Sequence, residues 1–397
     1  MKIGIWLRYG YSPSVGGGFS YFDALITKLQ TYKFCDEVEW CFVSPGSKSE
    51  DAQTVSLGLI PDKYWPFNIL AKNNKIAKFF FFINSKLLKQ RCLKTLRSKG
   101  IGIIYYPNQD DTILRDFPFI ATLWDMGYFQ TFPFPELTIG NNFRGRYELI
   151  TKTMQKALMV FSESEAGRQE LERYANINPV KVRVVPIFAS NVINMNTEKT
   201  LQTEILTQFK LSKNKFFFYP AQFWAHKNHI CVVRAFAEFV KVNPEYKLVF
   251  TGGNKGTMPY IKKVCEDLQL SNSVLFLGYV SRDALYTFYK NATSLIMASY
   301  FGPTNMPPIE ALSLGCPVIC SDISGHREIM EDAALYFKPQ DSVALLKCMR
   351  IINGAERESF LKKIKDRAEL SKFNIDNALM CMDKYFKEAL IIRDNWE

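Results

Sequence analysis

The stretch Phe301-Gly-Pro-Thr-Asn-Met-Pro-Pro-Ile-Glu-Ala-Leu-Ser-Leu-Gly-Cys-Pro-Val-Ile-Cys-Ser-Asp322 sets phosphate-binding groups beside a diol-binding one. It predicts a loop, a short helix stopped by Gly315, and a buried strand. Pro307 and Pro308 suit a helix's first turn, where a missing N–H loses no partner. Thr304 or Asn305 is the expected cap. The backbone N–H groups of Thr304, Asn305 and Met306 then project from a positive helix end, a ready site for a diphosphate. Glu310 is expected within that same first turn, where a carboxylate can accept hydrogen bonds from a cis-diol such as a ribose. Phosphate cradle and diol acceptor one turn apart imply a nucleotide-sugar site.

Other segments place polar groups where strands end. Tyr219-Pro-Ala-Gln-Phe-Trp-Ala-His-Lys-Asn-His229 follows a strand and opens a helix. Gly16-Gly-Gly18 follows the first strand, and glycines let backbone N–H groups approach a ligand. Phe119-Ile-Ala-Thr-Leu-Trp-Asp125 is a buried strand with Asp125 at its carboxyl edge, where open α/β sheets bind ligands. An Asp in that place also serves as a turn former or helix cap. Ser162-Glu-Ser164 reads mainly as a capping signal. Gly252-Gly253 and Gly278-Tyr279-Val280 end further strands. No His or Cys spacing suits a metal, and no Asp-x-Asp pair is present, so no metal is expected.

The 301–322 segment resembles the signature of retaining, family-4-type (group 1) glycosyltransferases of the GT-B fold. There an acidic residue, seven others and a Glu precede a small-residue helix and a Pro-Val strand. Glu310 matches the second acid, whereas the first falls on Gly302, which puts sugar recognition in question more than nucleotide binding. Thr304 and Asn305 are the substitutes offered for sugar contact. In related enzymes the segment after Tyr219 carries a basic pair that neutralises the departing diphosphate. Lys227 matches one of the pair and Gln222, uncharged, occupies the other, with His226 and Asn228 secondary. The family's His-Asp is Trp124-Asp125 here, so an indole replaces the His that faces the sugar.

The resemblance thus implies Lys227, Asp125 and Glu310 as catalytic residues. Gln222, Asn228, Thr304, Asn305, Met306, Gly278, Tyr279, Gly17 and Gly18 are its donor-binding set, and Glu328 in Gly325-His-Arg-Glu328 is a structural helix cap. It also implies retained anomeric configuration, no cofactor and no metal, the nucleotide-sugar being a co-substrate. The leaving phosphate would itself accept the acceptor's proton, which fits the lack of an obvious general base.

Bulk properties bound these readings. With 397 residues, 47% hydrophobic and 22% charged, the chain suits two soluble globular domains. No apolar run approaches a bilayer span, and no cleavable leader follows Met1. Nine scattered cysteines beside only three histidines read as reduced thiols in a cytoplasmic protein. The net charge of +11 attracts anionic partners. Much of it falls between Lys72 and Lys99, interleaved with Phe79–Phe82, Leu87 and Leu88. This pattern fits a basic amphipathic helix on the anionic inner face of the plasma membrane, and equally a surface helix whose apolar face lies in the domain core. The basic residues match no nucleic-acid recognition element.

Strand and helix patterns alternate along the chain and predict an α/β protein with two doubly wound, Rossmann-like domains facing a central cleft. Residues 1–190 form the acceptor-side domain, 191–215 a polar linker and 216–373 the nucleotide-sugar domain. A helix over about 374–397 crosses back to the first domain. The implied function is transfer of a sugar from a nucleoside-diphosphate donor to a hydroxyl of a glycan or lipid-linked glycan in surface polysaccharide synthesis. A nucleotide-sugar epimerase on this fold and a non-catalytic GT-B-derived partner subunit remain open.

Overall fold

In a computed structural model, which describes residues 1–8, 16–46, 53–58, 75–109, 114, 116–130, 134–138, 142–302 and 304–396, the chain builds two β-sheets covered by helices. The first sheet contains β1 (Lys2–Trp6), β2 (Glu39–Ser44), β3 (Thr54–Ser56), β4 (Ile101–Tyr106), β5 (Phe119–Thr122), β6 (Met159–Ser162) and β7 (Val182–Val184). The second contains β8 (Phe216–Pro220), β9 (Lys247–Thr251), β10 (Val274–Phe276), β11 (Ser294–Met297), β12 (Val318–Ser321) and β13 (Leu335–Phe337).

Their spatial orders are β3-β2-β1-β4-β5-β6-β7 and β10-β9-β8-β11-β12-β13, and the pairings are parallel. Helices on both faces explain why strands such as Phe216-Phe-Phe-Tyr219 are apolar without alternation and fully buried. The edge strands β3 and β13 lie outside the strands expected from sequence. Each is three residues long and mostly half-buried: β3 holds the single apolar residue Val55, and β13 is the brief run Leu335-Tyr-Phe337. In both sheets the order reverses beside the first strand, which opens a crevice at the carboxyl ends.

The expected linker is not a tether. Residues 191–215 contain a 3-10 turn, Asn191–Asn194, and a helix, Lys199–Gln208, with Ile205 and Leu211 buried. The Thr197 hydroxyl donates to Asp283 at 2.7 Å, and Asn291 donates to Gln202 at 3.1 Å. The polar composition belongs to a helix with one narrow buried edge, docked on the helix Arg282–Asn291 of the second lobe.

The last helix, Ile375–Asp394, is capped by the Asn374 side chain, which accepts from Asn377 N at 2.9 Å. Its Phe386 packs against Phe34, Tyr105 and Phe161 of the first lobe. Arg183 pairs with Glu388 on this helix, and the Cys35 amide donates to Asp383. The helix therefore completes the first lobe's core from the far end of the sequence.

Lys72, and the side chains from Lys75 to Lys86, lie outside the described residues. In the remainder of the helix Lys75–Ser98, Cys92 and Leu96 are buried, while Arg91, Lys94 and Arg97 face solvent. No described helix is long and apolar enough to cross a membrane. All nine cysteines are unpaired.

Candidate active site

The carboxyl ends of the two sheets face a cleft of about 770 Å³. From the first lobe it is lined by Arg8, Gly16, Gly17 and Gly18 after β1, Trp124 and Asp125 after β5, and Glu163 after β6. From the second come Gln222, His226 and Lys227 after β8, Gly278 and Tyr279 after β10, and Gly302, Asn305, Met306 and Glu310 around the helix Met306–Leu314. Lys227 and Glu310 thus share one crevice between the lobes.

Lys227 ends a 3-10 turn, Ala225–Lys227, that is locked from several sides. The Tyr219 hydroxyl donates to the Lys227 carbonyl at 2.5 Å. Asn228 follows at a left-handed φ of 59°, which Asn tolerates better than most residues. Its amide donates to the carbonyls of Ala298 at 3.2 Å and Pro339 at 2.5 Å. Asn228 is therefore a buried brace outside the cleft lining, not the donor-binding group expected; its short side chain is turned inward to free carbonyls.

The Lys227 Nζ donates to Asn305 Oδ1 at 2.6 Å and reaches Ser299 Oγ at 3.5 Å. Burial depresses its pKa to about 8 against the pull of Asp125, Glu163 and Glu136. A cation held by neutral oxygens stays available to an incoming anion.

The signature helix starts at Met306 and stops at Gly315, whose φ of 73° gives the left-handed end that glycine favours. Neither Thr304 nor Asn305 caps it through a side chain. Asn305, at φ 66°, turns its side chain to Lys227 and to His326. Thr304 is fully buried, and its hydroxyl donates to Glu163 of the opposite lobe, so it is not the sugar contact expected.

Because the helix begins at Met306, Glu310 lies in the second turn, not the first. Its carboxylate accepts hydrogen bonds from the hydroxyls of Ser190 and, at 2.5 Å, Tyr289. Burial raises its pKa, and those hydroxyls offset part of the rise. A carboxylate has lone pairs beyond these bonds, so it can still receive a diol at the cleft wall.

Gln222 bridges the β8 and β10 ends: its Nε2 donates to the Tyr279 hydroxyl at 3.0 Å, and Trp224 Nε1 donates to its Oε1 at 3.1 Å. Gly17 and Gly18 open the helix Gly17–Leu29 and line the cleft. Asp125 accepts from Gly127 N at 3.1 Å, a turn-forming bond, while also facing the cleft. Trp124 packs edge-on against Tyr21 at 5.4 Å and is half-buried there.

Several lining residues escaped the sequence reading. Glu136 accepts from the His226 amide at 3.0 Å and holds the His226 ring, joining the lobes. Glu163 was hidden inside a capping motif: Ser164 does cap the helix Glu165–Glu170, accepting from Gly167 N at 3.0 Å. The carboxyl-edge rule that singled out Asp125 applies equally to Glu163 after β6. Glu328 caps a helix as expected, but one in the other lobe: it accepts from Glu165 N at 3.0 Å and Ala166 N at 2.8 Å. Among the described residues no group of His, Cys, Asp and Glu side chains could hold a metal ion.

Residues 202–368 match the family model described as glycosyl transferases group 1. The second lobe is a group 1 glycosyltransferase domain. This domain carries both Lys227 and Glu310. Among curated proteins, the chain is 26% identical over 194 residues to the O-antigen chain mannosyltransferase RfbU of Salmonella typhimurium, a match that covers 49% of this chain and 50% of that protein. It is 22% identical over 262 residues to the O-antigen chain mannosyltransferase B of Escherichia coli, covering 65% and 67%. The matched region spans half the length of the first relative and about two thirds of the second.

Solved structures match across both lobes. Anabaena HepE in complex with UDP-glucose aligns with TM-score 0.67 at 16% identity, covering 98% of this chain and 99% of that one. The sucrose-phosphate synthase of Thermosynechococcus elongatus aligns with TM-score 0.69 at 17% identity over the same shares, 98% and 99%. The two-lobed architecture around the group 1 domain is the GT-B fold.

Proposed function

We propose that the chain is a retaining hexosyltransferase that moves a sugar from a nucleoside diphosphate to a hydroxyl of a glycan or lipid-linked glycan. The observation that carries this reading is the shared crevice holding the Lys227 ammonium, the start of the helix Met306–Leu314 and the Glu310 carboxylate. As the bond from the anomeric carbon to the phosphate oxygen breaks, negative charge develops on the diphosphate. In this reading Lys227 and the Asn305 and Met306 amides stabilise it, and fixed positive groups of this kind speed such steps by orders of magnitude. The acceptor hydroxyl attacks on the same sugar face and passes its proton to the departing phosphate oxygen. In this scheme the lysine and helix end supply the positive charge, and no metal or cofactor is used.

The two O-antigen mannosyltransferase relatives favour a mannosyl donor and a surface-polysaccharide acceptor, and HepE was solved with UDP-glucose. Arg91, Lys94 and Arg97 face outward on the first lobe and suit a cytoplasmic protein resting on an anionic membrane, where a lipid-linked acceptor is presented. Melting curves with GDP-, UDP- and dTDP-linked sugars test the donor, because a ligand of the native state raises its melting temperature. Incubating the stabilising donor with lipid-linked glycan should then give an α-linked product from an α-linked donor. No stabilisation by any nucleotide or nucleotide-sugar defeats the reading, and turnover without acceptor points to an epimerase.

A further inference from the structure

Glu163 is a cleft carboxyl to which the transfer scheme gives no task. It follows β6 at the carboxyl edge of the first sheet, is 7% exposed, and still lines the cleft. Its backbone is fixed because the Ile187 amide donates to the Glu163 carbonyl at 2.9 Å. Its Oε1 takes the Thr304 hydroxyl from the facing lobe. Burial, with Asp125 nearby, pushes its pKa up to about 8, a cost of keeping a carboxyl here that Thr304 only partly offsets.

The wall opposite explains what the carboxyl faces. Gly302 lies two residues before Thr304 at φ 101°, presents no side chain, and lines the same cleft. A Cβ built there would sit 3.2 Å from Asn305 Nδ2, so a side chain at 302 would press on the Asn305 group that holds Lys227. The second lobe therefore offers no carboxylate at that position. On the nucleotide-sugar reading Lys227 binds the diphosphate, and the attached sugar would lie beside it in the cleft, between Gly302, Asn305 and the first lobe. Glu163 borders that space and is within electrostatic reach of Lys227.

We propose that Glu163 is a sugar-binding residue, hydrogen-bonding a hydroxyl of the transferred hexose from the first lobe across the bare Gly302 position. Thr304 holds one carboxyl oxygen and so aims the group. The assignment rests on the nucleotide-sugar reading of the cleft.

The test separates the sugar from the nucleotide. Calorimetric Kd values would be measured for GDP against GDP-mannose, and for UDP against UDP-glucose, without acceptor. Wild-type protein, Glu163→Ala and Thr304→Val are compared. The expected result is a Kd for the nucleotide-sugar raised about tenfold or more in Glu163→Ala, while the nucleoside diphosphate stays within about twofold of wild type. Unchanged diphosphate binding also shows that the variant is folded. Thr304→Val should keep most of the nucleotide-sugar affinity.

Equal losses for diphosphate and nucleotide-sugar, or no loss for either, would overturn the role of Glu163 alone. So would a Thr304→Val variant as impaired as Glu163→Ala, since the carboxyl would then act only through the loop. A wild-type protein that binds neither diphosphate would overturn the donor reading and this assignment with it.

Discussion

The Lys227 ammonium lies 2.6 Å from the side-chain oxygen of Asn305, the residue that opens the signature helix. One hydrogen bond thus joins the turn after β8 to the helix after β11, on either side of the point where the strand order reverses. Replacing Lys227 with Met should raise the Kd for a nucleoside diphosphate and lower kcat by roughly a hundredfold or more. Its melting temperature should change little, since the ammonium contacts neutral oxygens rather than a buried carboxylate. Calorimetry with single-turnover kinetics checks this, and wild-type rates in the Met variant would misplace the diphosphate.

Lys227 also predicts a pH dependence. With its pKa lowered to about 8, the free protein carries the cation below that pH and progressively loses it above. Diphosphate affinity should therefore be flat below about 8 and fall roughly tenfold per pH unit above it, with proton uptake on binding in that range. The step should vanish in Lys227→Met. Titrations in buffers of differing ionisation enthalpy report both the affinity and the proton.

On the proposed reading Glu310 couples a ribose site to the core. In Glu310→Gln one of the Ser190 and Tyr289 hydroxyls keeps a carbonyl acceptor and the other faces an N–H₂ instead. We expect a stability loss of about 1–2 kcal/mol by denaturant unfolding. Ribonucleoside diphosphate should bind roughly tenfold more weakly, whereas inorganic pyrophosphate, which has no diol, should bind as before. A parallel loss for pyrophosphate would mean that Glu310 acts on the helix rather than on the sugar ring.

Glu328 reaches across the molecule to the first amides of the helix Glu165–Glu170. Glu328→Ala leaves those N–H groups without that partner, although Ser164 still serves Gly167. The expected cost is about 1–2 kcal/mol, a fall of a few degrees in melting temperature. Diphosphate affinity should be unaffected, because Glu328 does not line the cleft. Any large change in that affinity would show that the cap also sets the distance between the lobes.

Much of the architecture was legible because parallel strands buried on both faces announce themselves as apolar runs. β8 and β11 are such runs, and the intervening helices carry their own spacing. The edge strands β3 and β13 are only three residues long, too short to give a period, and the docked helix Lys199–Gln208 looked like a linker because only its Ile205 edge is buried.

The cleft was legible at several segments that follow strands, as with Asp125, Lys227 and Tyr279, although Glu163 after β6 was hidden by its capping motif. Side-chain direction was not. Asn228 turns inward to carbonyls and Thr304 to Glu163, choices set by partners distant in sequence. Glu136 and Glu163 act across the lobes, and no local pattern of residues encodes a contact of that kind.

The closing helix, Ile375–Asp394, has a consequence for how the protein is made. Phe386 fills a site among Phe34, Tyr105 and Phe161, all synthesised hundreds of residues earlier. While the ribosome is still translating the group 1 domain, the amino-terminal half waits with that aromatic socket open, a surface that chaperones or neighbouring nascent chains can grasp. Maturation of the first lobe is thus timed by the emergence of the last.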